Sequence, residues 1–146
     1  PDTKLETPVK AVINYTKTEN AGQLICAIAY APAGNVFKND QSSTLKAHCD
    51  MWRGSSIDAD KVAYQWFKLK SDGTWESLAA SNSYGITGTT TNEITIPASA
   101  VLNFESFKCA IKDTDTASGT YNTTVSDIIS FSDLSVYSGS IFHNGG

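Results

Sequence analysis

Hydrophobic and polar residues alternate along most of this chain in short runs, and Gly, Asn, Asp, Ser and Thr separate the runs. Alternation with a period of two is typical of β-strands that bury one face, whereas an amphipathic helix repeats its hydrophobic positions every three to four residues. The clearest run is residues 43–52, in which Leu45, Ala47, Cys49 and Met51 alternate with polar or charged residues. The pattern therefore predicts an all-β fold.

The same alternation predicts a series of strands and the units they belong to. The strands cover residues 9–15, 23–30, 43–52, 61–67, 75–78, 93–97, 106–111 and 124–131. The first two strands, with a polar turn between them, predict an N-terminal β-hairpin. A second hairpin is predicted at Lys70–Thr74, because its Asp-Gly pair supplies the positive φ of a tight turn. The expected domains are a leader and hairpin at 1–30, a sandwich at 31–133, and a linker with the first strand of a following repeat at 134–146.

Two cysteines and a tryptophan give the predicted fold its core. Cys49 and Cys109 lie at inward positions of alternating strands, and Trp66 lies on the strand between them. This arrangement is the core pin of an immunoglobulin-like β-sandwich made of two antiparallel sheets. The chain has three cysteines, so a disulfide between these two would leave Cys26 free. The residues alone leave both the disulfide and the thiol state open.

Two segments near the N-terminus recur near the C-terminus. Residues 33–39 resemble residues 138–144, and residues 10–18 resemble residues 108–116. The order of the two patterns is the same at both ends, which favours a tandem array holding the last hairpin of one unit, a whole unit, and the first strand of the next. The alternative is that short windows of Thr- and Ala-rich β-proteins look alike.

Composition narrows the classes of function. The chain has 146 residues, 40% of them hydrophobic, which suits one domain of ordinary size with additional segments. Its formal net charge is −4 and its basic residues are scattered singly, so a nucleic-acid partner is not expected. No apolar run approaches the roughly 20 residues of a membrane helix, so membrane insertion is not expected either.

Catalytic, metal and cofactor sites are not predicted. His48 and Cys49 are neighbours on one strand and point to opposite faces, and the cysteines lack metal-ligand spacing. Asp113 and Asp115 could supply carboxylates to calcium, but Asp and Thr also suit a turn, and the turn is favoured. The acidic residues of three predicted strands or loops imply no cleft and are interpreted as solvated surface; they are Glu76, Glu93 and Glu105.

Aromatic residues are the remaining candidates for a binding surface. Trp52 ends a strand, Trp75 follows a hairpin turn, and Tyr84 and Tyr121 lie in loops. Exposed aromatic rings can stack on sugars or anchor protein contacts. A carbohydrate-binding module would require Trp52, Trp75 and Tyr84 to converge on one sheet face.

Several of these segments together resemble a known family. They are Gly-Asn-Val-Phe-Lys-Asn-Asp (34–40), Ser-Thr-Leu-Lys-Ala (43–47), Tyr-Gln-Trp-Phe-Lys (64–68), Asp-Gly-Thr-Trp (72–75) and Glu-Ile-Thr-Ile-Pro (93–97). The set resembles the immunoglobulin-like repeats of bacteriophage tail and minor structural proteins, which also occur in some bacterial surface proteins. One departure is Phe107, which stands where antibody-type domains have the tyrosine of the tyrosine corner.

The resemblance implies a non-enzymatic module of a virion protein, without a cofactor. Its expected role is that of a rigid spacer that aids weak attachment to the host surface. Expected partners are neighbouring virion or tail subunits or adjacent repeats, with host cell-wall glycan as a further contact. The implied location is the virion tail after folding in the bacterial cytoplasm, where Cys49 and Cys109 would fold as thiols. The alternative is an extracellular carbohydrate-binding or adhesin module of a bacterial surface protein.

Overall fold

A computed structural model describes residues 16–17, 24–38 and 43–134. Ten strands account for most of this part of the chain. They are β1 (Thr16–Lys17), β2 (Leu24–Tyr30), β3 (Val36–Phe37), β4 (Thr44–Arg53), β5 (Ser56–Ile57), β6 (Val62–Leu69), β7 (Trp75–Ser77), β8 (Glu93–Pro97), β9 (Phe104–Asp113) and β10 (Thr124–Asp133). A 3-10 turn at Ala98–Ala100 follows β8 directly.

The strands form two five-stranded sheets. The first has the order β1-β2-β4-β5, with β8 also paired to β4, and the second has the order β3-β10-β9-β6-β7. All pairs are antiparallel except β3 with β10, which is parallel. The predicted all-β sandwich of two sheets is confirmed.

The core lies between the two sheets and is built from the inward positions of the alternating strands. Its largest fully buried side chains are Trp66, Phe37, Phe107, Phe131, Ile25, Met51, Leu78, Ile86, Ile94, Ile96, Ile111 and Val101. In the predicted inward set of β4, Ala47, Cys49 and Met51 are buried, and Leu45 is partly buried against the core. Period-two alternation therefore located the core faces correctly.

Strand β2, which the prediction placed before the 31–133 body, lies in the first sheet beside β4. It pairs with β4 from Ile25–Arg53 to Tyr30–His48. Burial of Ile25 and Ala27 explains this placement, because they extend the core under the first sheet. Thr16 and Lys17, which the prediction placed in the turn of the N-terminal hairpin, form β1 and pair with the start of β2. Residues 9–15 and 135–146, including the predicted following repeat, lie outside the described residues.

Two glycines fix the turns that shape one side of the body. Gly73 has φ +89° in the predicted Lys70–Thr74 hairpin, where the Lys70 amide donates to the Thr74 carbonyl at 2.8 Å. Gly88 has φ +83°, and a Cβ there would lie 2.2 Å from the Glu93 carbonyl oxygen. Glycine is therefore required at position 88, where the chain turns back toward β8.

The two ends of the sandwich carry different clusters of charged residues. We name them the Arg53 pole, where β4 and β9 end at Arg53 and Asp113, and the Lys68 pole, where β6 ends beside the start of β9. Since β2 and β10 run antiparallel to β4 and β9, β2 begins at the Arg53 pole and β10 ends at the Lys68 pole. The chain thus crosses the body from one pole to the other.

Candidate functional site

The predicted core pin lies at the centre of the molecule. Cys49, Trp66 and Cys109 are all fully buried, and Trp66 and Cys109 are directly opposite each other on β6 and β9. The Trp66 indole Nε1 donates to the Thr91 carbonyl at 2.8 Å, in the loop that leads to β8 of the other sheet. Trp66 therefore connects the two sheets as well as filling the space between them.

The two buried cysteines are thiols that contact each other across the core. A hydrogen bond with the Cys109 thiol, together with burial, raises the pKa of the Cys49 thiol far above its usual value. Cys26 is also a thiol, and burial with the nearby Asp127 carboxylate raises its pKa. Because the thiolate is the reactive form, these surroundings make Cys49 and Cys26 poor nucleophiles.

The four aromatic candidates do not share a surface. Trp52 lies on β4 of the first sheet and Trp75 on β7 of the second. Tyr121 is exposed in the β9–β10 loop at the Arg53 pole, and Tyr84 lies at the Lys68 pole. The single aromatic platform that a carbohydrate-binding module was expected to have, formed by Trp52, Trp75 and Tyr84, is therefore not formed.

His48 is enclosed by carboxylates on the outer face of the first sheet. Its Nδ1 lies 3.1 Å from Glu93 Oε1, and its Nε2 lies 3.0 Å from Asp50 Oδ1. The Tyr30 ring packs against it with centroids 5.2 Å apart. Cys49 points into the core, as its alternation with His48 predicts. Both ring nitrogens are thus engaged by acids, and the neighbouring thiol is on the other side of the sheet.

At the Arg53 pole, one guanidinium joins the two sheets. Arg53 Nε donates to Asp58 Oδ2 at 2.9 Å, its NH2 group donates to Asp113 Oδ2 at 3.1 Å, and its NH1 group donates to Thr120 Oγ1 at 2.9 Å. Ser118 Oγ donates to Asp113 Oδ2 at 2.6 Å. The arrangement satisfies a buried acid with several donors, so it is a structural clamp.

The Asp113 carboxylate is charged throughout the neutral range. Burial alone would raise its pKa, but the Ser118 and Thr120 hydroxyls, the Asp115 amide and the Arg53 guanidinium lower it to about 2. A calcium site at Asp113 and Asp115, considered from the sequence, would need the Asp113 carboxylate, which is already bound by protein donors. Within the described ranges, no group of three or more His, Cys, Asp and Glu side chains is arranged to hold a metal ion.

At the Lys68 pole, a lysine occupies an inward position of β6. Val62, Tyr64 and Trp66 precede it on the same face of the strand, and the Lys68 side chain is only 11% exposed. Its Nζ lies 3.1 Å from Glu105 Oε1 and 4.8 Å from the centroid of the Tyr84 ring. The ammonium is thus held between a carboxylate and an aromatic face.

Tyr84 is itself fixed by a second carboxylate. Its hydroxyl donates to Glu76 Oε1 at 2.5 Å, and its backbone amide donates to Asn82 Oδ1 at 3.1 Å. The hydrogen bond to Glu76 raises the pKa of the Tyr84 hydroxyl, so the phenol stays protonated and donating. Two carboxylates therefore fix the residues at this end of the sandwich: Glu105 binds Lys68, and Glu76 binds Tyr84. The Tyr84 ring lies between the two pairs, against the Lys68 ammonium.

These residues border an open groove of about 550 Å³. Its walls are Lys68, Leu69, Lys70, Ser71, Glu76, Tyr84, Phe104, Glu105 and Ser106. Tyr84 was predicted from the sequence as a binding candidate. Glu76 and Glu105, interpreted from the sequence as solvated surface, are half-buried, and each is bound by a partner, Glu76 by the Tyr84 hydroxyl and Glu105 by Lys68. The missed signal was Lys68, a charged residue at an inward position of an alternating strand.

Comparison with known proteins does not assign this groove. A scan against protein-family models and a search of the curated proteins both find no match to the chain. In the part of the chain that the structure describes, no helix has the length and apolarity that crossing a membrane requires. The chemistry of the two poles is therefore the basis for a function.

Proposed function

We propose that the chain is a non-enzymatic, immunoglobulin-like module of a phage tail or other virion protein. It acts there as a rigid spacer and aids weak attachment to the host surface. Its partners are neighbouring tail subunits or adjacent repeats. The observation that carries the spacer role is the path of the chain, which runs through the body from the Arg53 pole to the Lys68 pole.

Strand order supports the immunoglobulin-like assignment. Strands β2, β4 and β8 lie side by side in one sheet, and β10, β9 and β6 lie side by side in the other. An immunoglobulin-like sandwich has its first, second and fifth strands in one sheet and its third, sixth and seventh in the other. The motifs that resemble phage repeats account for β3, β4, β6, the Asp-Gly hairpin and β8, and they remain the support for a virion role.

Rigidity is supported by bonds between the sheets at three levels. Arg53 and Asp113 join β4 to β9 at one pole. The Ala29 amide of β2 donates to Asp127 Oδ2 of β10 at 2.8 Å along the side of the sandwich. The Trp66 indole reaches Thr91 in the centre. Such bonds resist sliding of one sheet over the other, which a spacer under load needs.

Single-molecule pulling through the two chain ends tests the spacer role. A rigid unit should extend in one cooperative step of more than about 300 Å, since residues 24–134 span up to roughly 370 Å when extended. Arg53→Met, which removes the bond between sheets at one pole, should lower the force of that step. Gradual extension of the parent chain at low load would contradict the proposal.

The location of the protein, on phage tails or on the cell envelope, distinguishes a virion role from that of a bacterial surface protein. An antibody raised against the chain should label the tails of intact particles produced by cells that encode it. The alternative function, a carbohydrate-binding or adhesin module of a bacterial surface protein, is favoured by the groove at the Lys68 pole. Labelling confined to the cell envelope would support that alternative and reject the tail assignment.

A further inference from the structure

The Lys68 pole has the features of a preformed binding site. The groove there has a volume of about 550 Å³, which lies within the usual range of small-molecule pockets. Lys68 is fixed by Glu105, and Tyr84 is fixed by Glu76 and by Asn82. A ligand would therefore meet walls that are already ordered, which reduces the entropy lost on binding.

The buried lysine is hard to explain by stability alone. A buried ion pair gives about the same stability as hydrophobic residues of similar size, because removing both charges from water offsets their attraction. Position 68 continues the inward face that Tyr64 and Trp66 define, so an apolar side chain would continue the core. A polar cluster at such a position, beside an open groove, is typical of a functional site.

Both acids keep hydrogen-bonding capacity that the described residues do not use. Within the described residues, Glu76 accepts the Tyr84 hydroxyl through Oε1 and Glu105 accepts Lys68 through Oε1. The Oε2 atom of each carboxylate remains available to a ligand donor. Phe104, a residue that is 59% exposed, adds an apolar ring at the edge of the same groove.

The charges in the groove cancel. Lys68 and Lys70 are opposed by Glu76 and Glu105, so the formal charge of the walls is zero. A polyanion or a polycation would gain little there from long-range attraction. The combination of carboxylate acceptors, an ammonium donor and aromatic carbon fits a neutral molecule with many hydroxyls and an apolar ring face.

We propose that this groove binds a neutral sugar unit. Its hydroxyls would donate to Glu76 and Glu105, and its apolar face would pack on Phe104. The proposal rests on the attachment part of the proposed function and is independent of the spacer role, so a failure here leaves the pulling experiment unaffected. A single sugar unit is small, so the expected affinity is millimolar.

NMR titration of the isotope-labelled full chain tests the proposal. The probes are glucose, galactose, N-acetylglucosamine and rhamnose, each at millimolar concentration, with glucuronate as the charged comparison. At least one neutral sugar should produce saturable shifts in the amides of Leu69, Lys70 and Glu105. Absence of saturable shifts with all four neutral sugars would overturn the site, as would shifts centred on Trp52 or Trp75. Tighter binding of glucuronate than of every neutral sugar would overturn the neutral ligand class.

A matched pair of variants locates the binding. Phe104→Ala and Tyr121→Ala each remove an exposed aromatic ring, one in the groove and one at the Arg53 pole, so both should fold like the parent. Phe104→Ala should weaken sugar binding by about tenfold or more, as loss of an aromatic anchor does. Tyr121→Ala should leave the affinity unchanged. Equal affinity in the two variants would reject the groove as the site.

Discussion

The two poles of the sandwich both contain a cation paired with a carboxylate, but the surroundings of the two pairs differ. Each pole has a cation paired with an acid that is buried or nearly so. At the Arg53 pole, hydroxyl and amide donors complete the coordination of Asp113, and the pair connects two sheets. At the Lys68 pole, Lys68 and Glu105 lie on neighbouring strands of one sheet and border an open groove.

This difference suggests a way to separate structural from functional ion pairs. A pair whose remaining hydrogen-bonding groups are filled by the protein is complete, and it resists change because every partner would be left unsatisfied. A pair that keeps acceptors open toward a groove has capacity for a ligand. By this criterion the Arg53 pole holds the fold together and the Lys68 pole is available for recognition.

The largest loss of stability is expected from a change in the core between the two poles, at Trp66. Trp66→Ala should reduce the free energy of unfolding by about 3–5 kcal/mol, because it leaves a large cavity and removes the link to Thr91. Urea unfolding followed by circular dichroism measures the loss. A variant that unfolds at nearly the parent's urea midpoint would show that Trp66 is not the core pin.

Breaking the Arg53 pole should cost nearly as much. Arg53→Met removes the cation and leaves the buried Asp113 charge without its paired guanidinium, which should reduce the free energy of unfolding by about 3 kcal/mol. The matched change Lys46→Met removes a lysine from an exposed ion pair with Glu93 on the first sheet, and it should cost less than about 1 kcal/mol. Equal losses in the two variants would contradict the clamp.

Acid should weaken the Arg53 pole specifically. The folded state lowers the pKa of Asp113 to about 2, below its value in the unfolded chain. Its contribution of about 2 kcal/mol is therefore complete above about pH 4 and is lost as the pH falls toward 2. Urea unfolding at several pH values should show this loss in the parent, and Asp113→Asn should remove that component of the pH dependence. An unchanged pH profile in the variant would assign the acid sensitivity elsewhere.

The smallest effect on stability is expected at the Lys68 pole. Replacing the pair by Lys68→Met together with Glu105→Leu should change the free energy of unfolding by less than about 1 kcal/mol, because apolar groups of similar size can replace a buried ion pair. The same double variant should lose the sugar-dependent amide shifts. A loss of stability as large as that of Arg53→Met would make the two poles equivalent.

Much of this fold could be predicted because period-two alternation and turn chemistry are local properties. The inward faces of β4 and β9, the Asp-Gly hairpin and the Cys49–Trp66–Cys109 centre all follow from short stretches of sequence. The position of β2 did not follow in the same way. Its pairing with β4 depends on contacts between distant segments, and the apparent repeat had suggested that it ended a preceding unit.

The candidate site could not be predicted because its members are far apart in the chain. Lys68, Glu76, Tyr84 and Glu105 come from three strands and a loop, and only the fold brings them together. Asp113 was noted in the sequence as a turn residue or calcium ligand, yet its partner Arg53 lies 60 positions away. A charged residue at an inward position of a strand is the local signal that would have identified Lys68.

A paired substitution tests the contrast between the poles most directly. Asp113→Asn and Glu105→Gln each neutralise one acid with little change in shape, and urea unfolding under identical conditions compares their free energies. The Asp113 side chain is 2% exposed, whereas the Glu105 side chain is 19% exposed beside an open groove. Asp113→Asn should cost about 2–3 kcal/mol, because several buried donors lose their charged acceptor. Glu105→Gln should cost less, about 1 kcal/mol, because the glutamine oxygen can still accept from Lys68 and the Tyr84 ring still faces the ammonium. Equal costs, or a larger cost for Glu105→Gln, would contradict the division into a structural pole and a binding pole.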